Sequence, residues 1–368
     1  MRQTHHGSDS ILRIALALLL LIGLVMVYSS SAVFAMEEYG DSYYFLKRQG
    51  LWCLIGLGML LAASHMDYRR LEAWTYPIMA VCFLLLMAVM VPALSQEAGG
   101  ARRWLKLGPV AFQPSELAKF ALVLFIAKSL VKRADQLKNF AYGYLPNLIV
   151  LGLFFLPILF QPDFGTAMII GAVTFTMLFV AGLRTKFLVY SGLALIPFIV
   201  SAILSQGYRT RRILAFLDPW QDPSDAGFQA IQSFYAFGRG GLLGVGLGDS
   251  NQKLFYLPEA HTDFIFSVIG EELGFIGVMA ITVLFALVIW RGFITAYRVK
   301  DDFGTHLAIG LTLLIGIQAF INMGVATGLL PTKGLTLPFI SLGGSSMVVS
   351  MLAMGVLLNI SEHTATRR

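Results

Sequence analysis

The chain has 368 residues, of which 57% are hydrophobic and 13% charged, with a mean hydropathy of +0.73. Soluble domains carry roughly 25% charged residues, so this chain cannot coat a water-facing globule of its size and lipid must be the solvent for most of it. The net charge of +6 fits basic loops held at a membrane surface, and no nucleic-acid partner is expected.

In lipid the backbone must satisfy its own hydrogen bonds, which leaves helices or a closed barrel. The apolar runs are continuous over roughly 18–25 residues, which selects helices over ten-residue alternating strands. The sequence therefore reads as an all-α integral membrane protein, a single polytopic domain over 1–368. About ten transmembrane helices are expected, at 11–34, 50–64, 75–92, 115–130, 146–160, 164–182, 187–205, 264–290, 305–327 and 342–360. The first run begins near Ile11 and lacks a small-residue cleavage site, so it reads as a retained helix. Cys53 and Cys82 both fall inside apolar runs and predict neither a disulfide nor a thiolate metal site.

Short basic connections orient the bundle. Arg2, Arg13, Arg69, Arg70, Lys128, Lys132, Arg133, Lys138, Arg184, Lys186, Arg291, Arg298, Lys300, Arg367 and Arg368 share one side, which is assigned to the cytoplasm together with both termini. The other side carries Glu37, Glu38 and Asp41, then Arg102, Arg103 and Lys106, and the long 206–263 connection. That connection alone is large enough to be expected to hold structure of its own. Pro219 and Pro223 break helix there, and six glycines between 238 and 248 allow tight turns. No strand precedes them, so they do not read as a nucleotide loop.

Charged residues at or inside apolar helices are costly and default to functional candidates. In GGARRWLKLGPVAFQPSELAKF, 99–120, Pro114 opens a helix that places Glu116 and Lys119 three apart on one face. They either lock two helices as an ion pair or line a polar cavity. Arg102 and Arg103 either anchor the interface beside Trp104 or clamp phosphate with their planar forks. In QPDFGT, 161–166, Asp163 sits where a carboxylate caps a helix, and Thr166 shares its face. LPEAHTDFIFSVIGEELG, 257–274, gathers Glu259, His261, Thr262, Asp263, Glu271 and Glu272 around a helix start. Asp263 reads as a cap or as a working carboxylate. Glu271 and Glu272 lie deeper and need partners, which Lys119 or another cavity cation could supply. GLLPTKGLTLPFISLGGSS, 328–346, brings Lys333 into an outward loop and runs into a small-residue helix start at Ser345. The six histidines show no HExxH spacing, and there is no Gly-x-Ser-x-Gly elbow. A charged, outward-facing cavity for an anionic or amphiphilic substrate follows, with enzyme and transporter both open.

At these motifs the sequence resembles the SEDS family (shape, elongation, division and sporulation proteins). GARRWLKLG…QPSELAK, QPDFGT, DPWQDP…GFQ…GRGGLLGVGLG, LPEAHTDFIF…GEELG and GLLPTKGLTLPFIS occur in family order, over about 29–359. LPEAHTDF and PTKGLTLPFIS are more similar to the division-type members than to the elongation-type ones. One departure is Leu342, where the family usually has Tyr.

The resemblance implies a peptidoglycan glycosyltransferase that polymerises lipid II into β-1,4 glycan and releases a lipid diphosphate. Its partners would be lipid II, undecaprenyl-diphosphate-linked glycan, a class B penicillin-binding protein, other division proteins and membrane lipids. It would work at the septum, in the cytoplasmic (inner) membrane. Asp263 matches the family's essential aspartate and is expected to be the general base. Arg103, Lys119 and Arg102 are candidates for the diphosphate, with Glu116 positioning Lys119 and Asp163 and Thr166 supporting the cavity. Arg209, Arg211, Arg239, His261, Lys333 and Ser345 complete the expected substrate contacts. A divalent cation, Mg²⁺ or Mn²⁺, could bridge the diphosphate, although no motif specifies one. A lipid II flippase and a division scaffold that recruits a transpeptidase are the competing readings.

Overall fold

The computed structural model describes residues 9–98, 101–108, 110–204, 207–225, 227–252 and 260–365. Each apolar run becomes a helix: α1 (Ser10–Tyr39), α2 (Tyr44–His65), α3 (Arg69–Val89), α4 (Pro114–Lys132), α5 (Leu145–Phe160), α6 (Phe164–Val180) and α7 (Thr185–Leu204). The long connection holds α8 (Gly207–Leu217) and α9 (Phe228–Gly240), and α10 (Ile265–Arg298), α11 (Asp302–Ala326) and α12 (Gly344–Ala365) complete the bundle. Each of the ten expected stretches coincides with a helix to within a few residues, but ten membrane spans are not confirmed. Among the described residues seven helices are long and apolar enough to cross a membrane: α1, α2, α3, the 140–160 stretch that contains α5, α10, α11 and α12. The protein is an all-α membrane protein. Two of the remaining helices depart from a simple span. α4 carries Glu116, Lys119, Lys128 and Lys132, and α6 has 17 residues. Cys53 and Cys82 are both free thiols.

Residues 95–112 form an element that hydropathy did not anticipate. They build a three-stranded antiparallel meander of β1 (Ser95–Ala98), β2 (Ala101–Leu107) and β3 (Val110–Phe112). Trp104 faces Gln96 and Leu105 faces Phe112, with a bulge between Gln96 and Glu97. Structure outside the helical runs is thus not confined to 206–263, as the sequence had suggested.

α10 is broken at Gly274, where φ is +63°. A break inside a bundle frees backbone groups that lipid cannot satisfy. The 241–246 segment replaces the lost bonds. Val245 and Gly246 donate to the carbonyls of Glu271 and Glu272 at 3.0 and 3.1 Å, while Phe275 and Ile276 donate to Gly241 and Leu242 at 2.9 and 3.2 Å. Gly244, at φ +81°, packs directly on the Glu272 carbonyl. Gly244→Ala would add a left-handed alanine and a clash, and should cost about 2–4 kcal/mol. A drop in detergent melting temperature is the expected result.

At the end opposite the sheet, polar contacts join distant segments. Arg291 meets Asp9 at 2.6 Å, Tyr68 N–H donates to Asn359 at 3.0 Å, and the Tyr68 hydroxyl donates to Asp301. Burial, reinforced by the Asp301 hydrogen bond, pushes the Tyr68 phenol well above its ordinary range. A phenol with a raised folded pKa adds stability below its unfolded value near 10 and loses it as pH climbs through the folded one. Tyr68→Phe should cost about 1 kcal/mol and flatten the stability-versus-pH curve above about pH 10, as read by melting temperature.

Candidate active site

The starts of four helices meet at one cavity of about 470 Å³. Gln113 precedes α4, Asp163 caps α6, Thr262 and Asp263 precede α10, and Gly343 and Gly344 lead into α12; all line it. Helix N-termini carry partial positive charge and unpaired N–H groups, so this convergence favours an anion. Two guanidinium groups, Arg48 and Arg103, line the same space.

Asp163 supports this wall. Its Oδ1 accepts from Thr166 N–H at 3.1 Å, and its Oδ2 from Gln113 Nε2 at 3.0 Å and Ser115 Oγ at 3.1 Å. The cap expected at QPDFGT is therefore present, and Thr166 lines the cavity as its position on that face suggested. Ser345 Oγ accepts from Gln113 N–H at 2.9 Å and so ties α12 to α4.

Glu116 and Lys119 form the expected pair at 2.8 Å, 6% and 2% exposed. Glu116 lines the cavity, while Lys119 sits behind it and also donates to Gln318 at 2.7 Å. Of the expected pair, then, only Glu116 is among the residues that line the cavity. Arg103 reaches the cavity and donates to the carbonyls of Gln161 and Pro162 at 3.1 and 2.6 Å. Arg102 projects the other way, exposed and paired with Glu97 at 3.3 Å, because neighbouring residues on β2 face opposite sides.

Asp263 lies one residue outside the α10 N-cap, Phe264, which has no side-chain cap. The Asp263 side chain lines the cavity beside Gly334. His261 stacks on Phe45 and Phe34, at ring distances of 4.8 and 5.9 Å, and its carbonyl accepts from Leu342 N–H at 3.0 Å. Lys333 lies over the Phe164 ring at 4.8 Å.

Of the long-connection arginines with described side chains, Arg211 and Arg239 do not line this cavity. Arg211 pairs with Asp225 at 3.6 Å, both about 70% exposed. Arg239 pairs with Glu271 at 3.1 Å. Glu271 also accepts from Ser250 Oγ and from the N–H groups of Asn251 and Gln252, at 3.1 and 3.3 Å. Glu272 accepts from Ser29 Oγ, at 2.6 Å from Oε2. Lys119, proposed from sequence as a partner for these two glutamates, is not the group that meets them in these contacts. Arg209 sits in α8, but its side chain lies outside the described part of the structure, as do Glu259, Arg2, Arg367 and Arg368.

Sequence reading missed Arg48, Trp52, Gln113 and Leu342 as cavity-lining residues, and Gln318 and Asn322 behind them. Gln318 and Asn322 did leave a signal, two amides four apart on one face of an apolar helix. Arg48 and Trp52 are likewise one turn apart on α2.

Among the described residues no three His, Cys, Asp or Glu side chains gather as a metal cluster. Asp163 has both oxygens engaged and Glu116 holds Lys119, so a cage built by the protein alone does not fit.

The model of the cell cycle protein family, which covers FtsW, RodA and SpoVE, matches residues 9–366. The chain belongs to this family. A probable peptidoglycan glycosyltransferase FtsW of Geobacter sp. (strain M18) is 50% identical over 357 residues, covering 97% of each chain. The stage V sporulation protein E of Bacillus subtilis (strain 168) is 44% identical, again over 97% of both. Among solved structures, a chain from a peptidoglycan synthase complex that coordinates polymerization and crosslinking superposes with a TM-score of 0.79 at 30% identity, covering 97% of this chain and 98% of that one. The rod shape determining protein RodA of Thermus thermophilus gives 0.72 at 29% identity, with 97% of each chain covered. The likeness to FtsW proteins agrees with the division-type character of LPEAHTDF and PTKGLTLPFIS.

Proposed function

We infer that the chain is a peptidoglycan glycosyltransferase that polymerises lipid II into β-1,4 glycan strands. One observation carries most of the weight: four helix starts and two guanidinium groups converge on a cavity that also holds the Asp263 carboxylate. A relative named for this activity shares half its residues with the chain along nearly all of its length.

The substrate chemistry matches the cavity. An acceptor hydroxyl attacks the anomeric carbon of an α-linked sugar diphosphate from the opposite face, giving a β bond in one displacement. The hydroxyl proton passes to Asp263 as general base. The carbon–oxygen bond to the leaving group breaks, and its electron pair departs with the lipid diphosphate. Arg103, Arg48 and the helix N-termini stabilise that growing negative charge. A divalent cation, if carried in on the diphosphate, would add charge relief there.

The cavity end faces outward, because the opposite end carries the short basic connections at Arg69, Arg70, Arg184, Lys186, Arg298 and Lys300. The protein works in the bacterial cytoplasmic membrane at the division septum, beside a class B penicillin-binding protein that cross-links the strands. The test is polymerisation of lipid II by the purified chain with that partner, for wild type and Asp263→Ala. Glycan strands from wild type alone are expected. Equal strands from both would remove Asp263 as the base. Lipid II crossing a vesicle bilayer with no strands formed would favour a flippase.

A further inference from the structure

Asn322 lies on α11, 1% exposed, and belongs to no motif that the sequence brought forward. Its amide nitrogen donates to the main-chain oxygen of Asp263 at 2.8 Å and to that of Leu335 at 2.5 Å. Both neighbours are pure acceptors, so only the NH₂ side of the amide can face them, and both hydrogens are spent. The amide oxygen is left buried with no hydrogen-bond partner. A stranded acceptor works against stability, so the two donated bonds are what the amide contributes here.

What the amide secures is the spacing between two pieces of backbone. One is the turn that carries Asp263. The other is the extended 332–336 stretch, where a Cβ on Gly334 would lie 2.9 Å from Asp263 Oδ2. One turn earlier on α11, Gln318 donates to the Thr336 carbonyl at 3.0 Å and accepts from Lys119 at 2.7 Å. A single helix face therefore mounts both walls of the cavity: Gln318 holds the Glu116–Lys119 side, and Asn322 holds the Asp263 side.

We propose that Asn322 is a positioning residue for Asp263, fixing its main chain against the 332–336 stretch so that the carboxylate meets the acceptor hydroxyl. This rests on Asp263 being the base. Asn322 touches no substrate; its contribution is geometric, and a misplacement of about 1 Å at a reacting group costs on the order of 10²-fold in rate.

The experiment is steady-state polymerisation of lipid II by the full chain with its class B partner, for Asn322→Ala, Asn322→Leu and Asp263→Asn. The leucine variant keeps the volume and removes the stranded oxygen, so it stays informative if the alanine variant folds poorly. The expected result for Asn322→Leu is a fall in kcat of about 10²-fold, with KM and complex formation near wild type and a melting temperature lowered no more than in Asn322→Ala, since both variants leave the Asp263 and Leu335 carbonyls without their donor. A folded variant with wild-type kcat would overturn the proposal. So would a rise in KM alone, or a loss of melting temperature and partner binding in step with activity in both Asn322 variants. An active Asp263→Asn would bring down the base and its positioning together, whereas an inactive Asp263→Asn beside an active Asn322→Leu would bring down the positioning alone.

Discussion

Replacing Asp263 by asparagine is expected to lower the polymerisation rate by about 10²–10⁴-fold, the usual contribution of a general base. The substitution is isosteric, and the main-chain oxygen of residue 263 would still be held by Asn322. The fold and the partner complex should therefore survive, which separates lost chemistry from lost structure. An amide cannot take the acceptor proton at neutral pH, so the hydroxyl would attack as a much weaker nucleophile. The pH profile gives the second readout. A carboxylate base works only when ionised, so the wild-type rate falls on acidification. That acidic limb should vanish in the variant, leaving a low and flat residual rate. A pH–rate series with lipid II checks both parts, and an unchanged acidic limb would mean that another group is titrating.

The second large effect is on stability. Lys119→Ala is expected to cost about 3–5 kcal/mol, because it leaves the Glu116 carboxylate buried without its cation. Lys119 and Glu116 are almost wholly out of solvent, and their 2.8 Å contact is the compensation for that burial. The same change removes the donor to Gln318, which steadies the Thr336 carbonyl. Changing both partners, as Glu116→Gln with Lys119→Met, takes away the charges together and should recover most of the loss, since a buried pair is seldom more stable than a well-packed neutral replacement. Unfolding in detergent for the two single variants and the double would show this as strong non-additivity. Activity should not recover with stability, because Glu116 is the member of the pair that lines the cavity.

The backbone plan was legible because its cause is one-dimensional. A run of apolar residues long enough to span lipid must be helical wherever it sits in the chain, and each of the ten expected runs coincides with a helix, although only seven of those described are long and apolar enough to cross a membrane. Local geometry was legible for the same reason. The Asp163 cap and the Glu116–Lys119 pair depend on residues three apart on one element. Failures came where the secondary structure was misread or the partner was distant. Arg102 and Arg103 read alike as neighbours in a loop, but on a strand they point to opposite faces, and only Arg103 enters the cavity. The sheet itself was invisible to hydropathy, since three short strands at a membrane surface leave no long apolar run.

By itself, then, the sequence determined the membrane class, the helices and the chemical types gathered near their ends, because length, charge density and spacing act locally. Only the tertiary structure decided which of those groups share a space. It put Lys119 behind Glu116, gave Glu271 to Arg239 and Glu272 to Ser29, spliced the 241–246 segment into the break of α10, and set Asn322 between Asp263 and Leu335. Each of those contacts joins residues from different parts of the fold, and buried polar groups take whatever partner the packing brings within reach. That choice is made in three dimensions and leaves little mark on the order of residues along the chain.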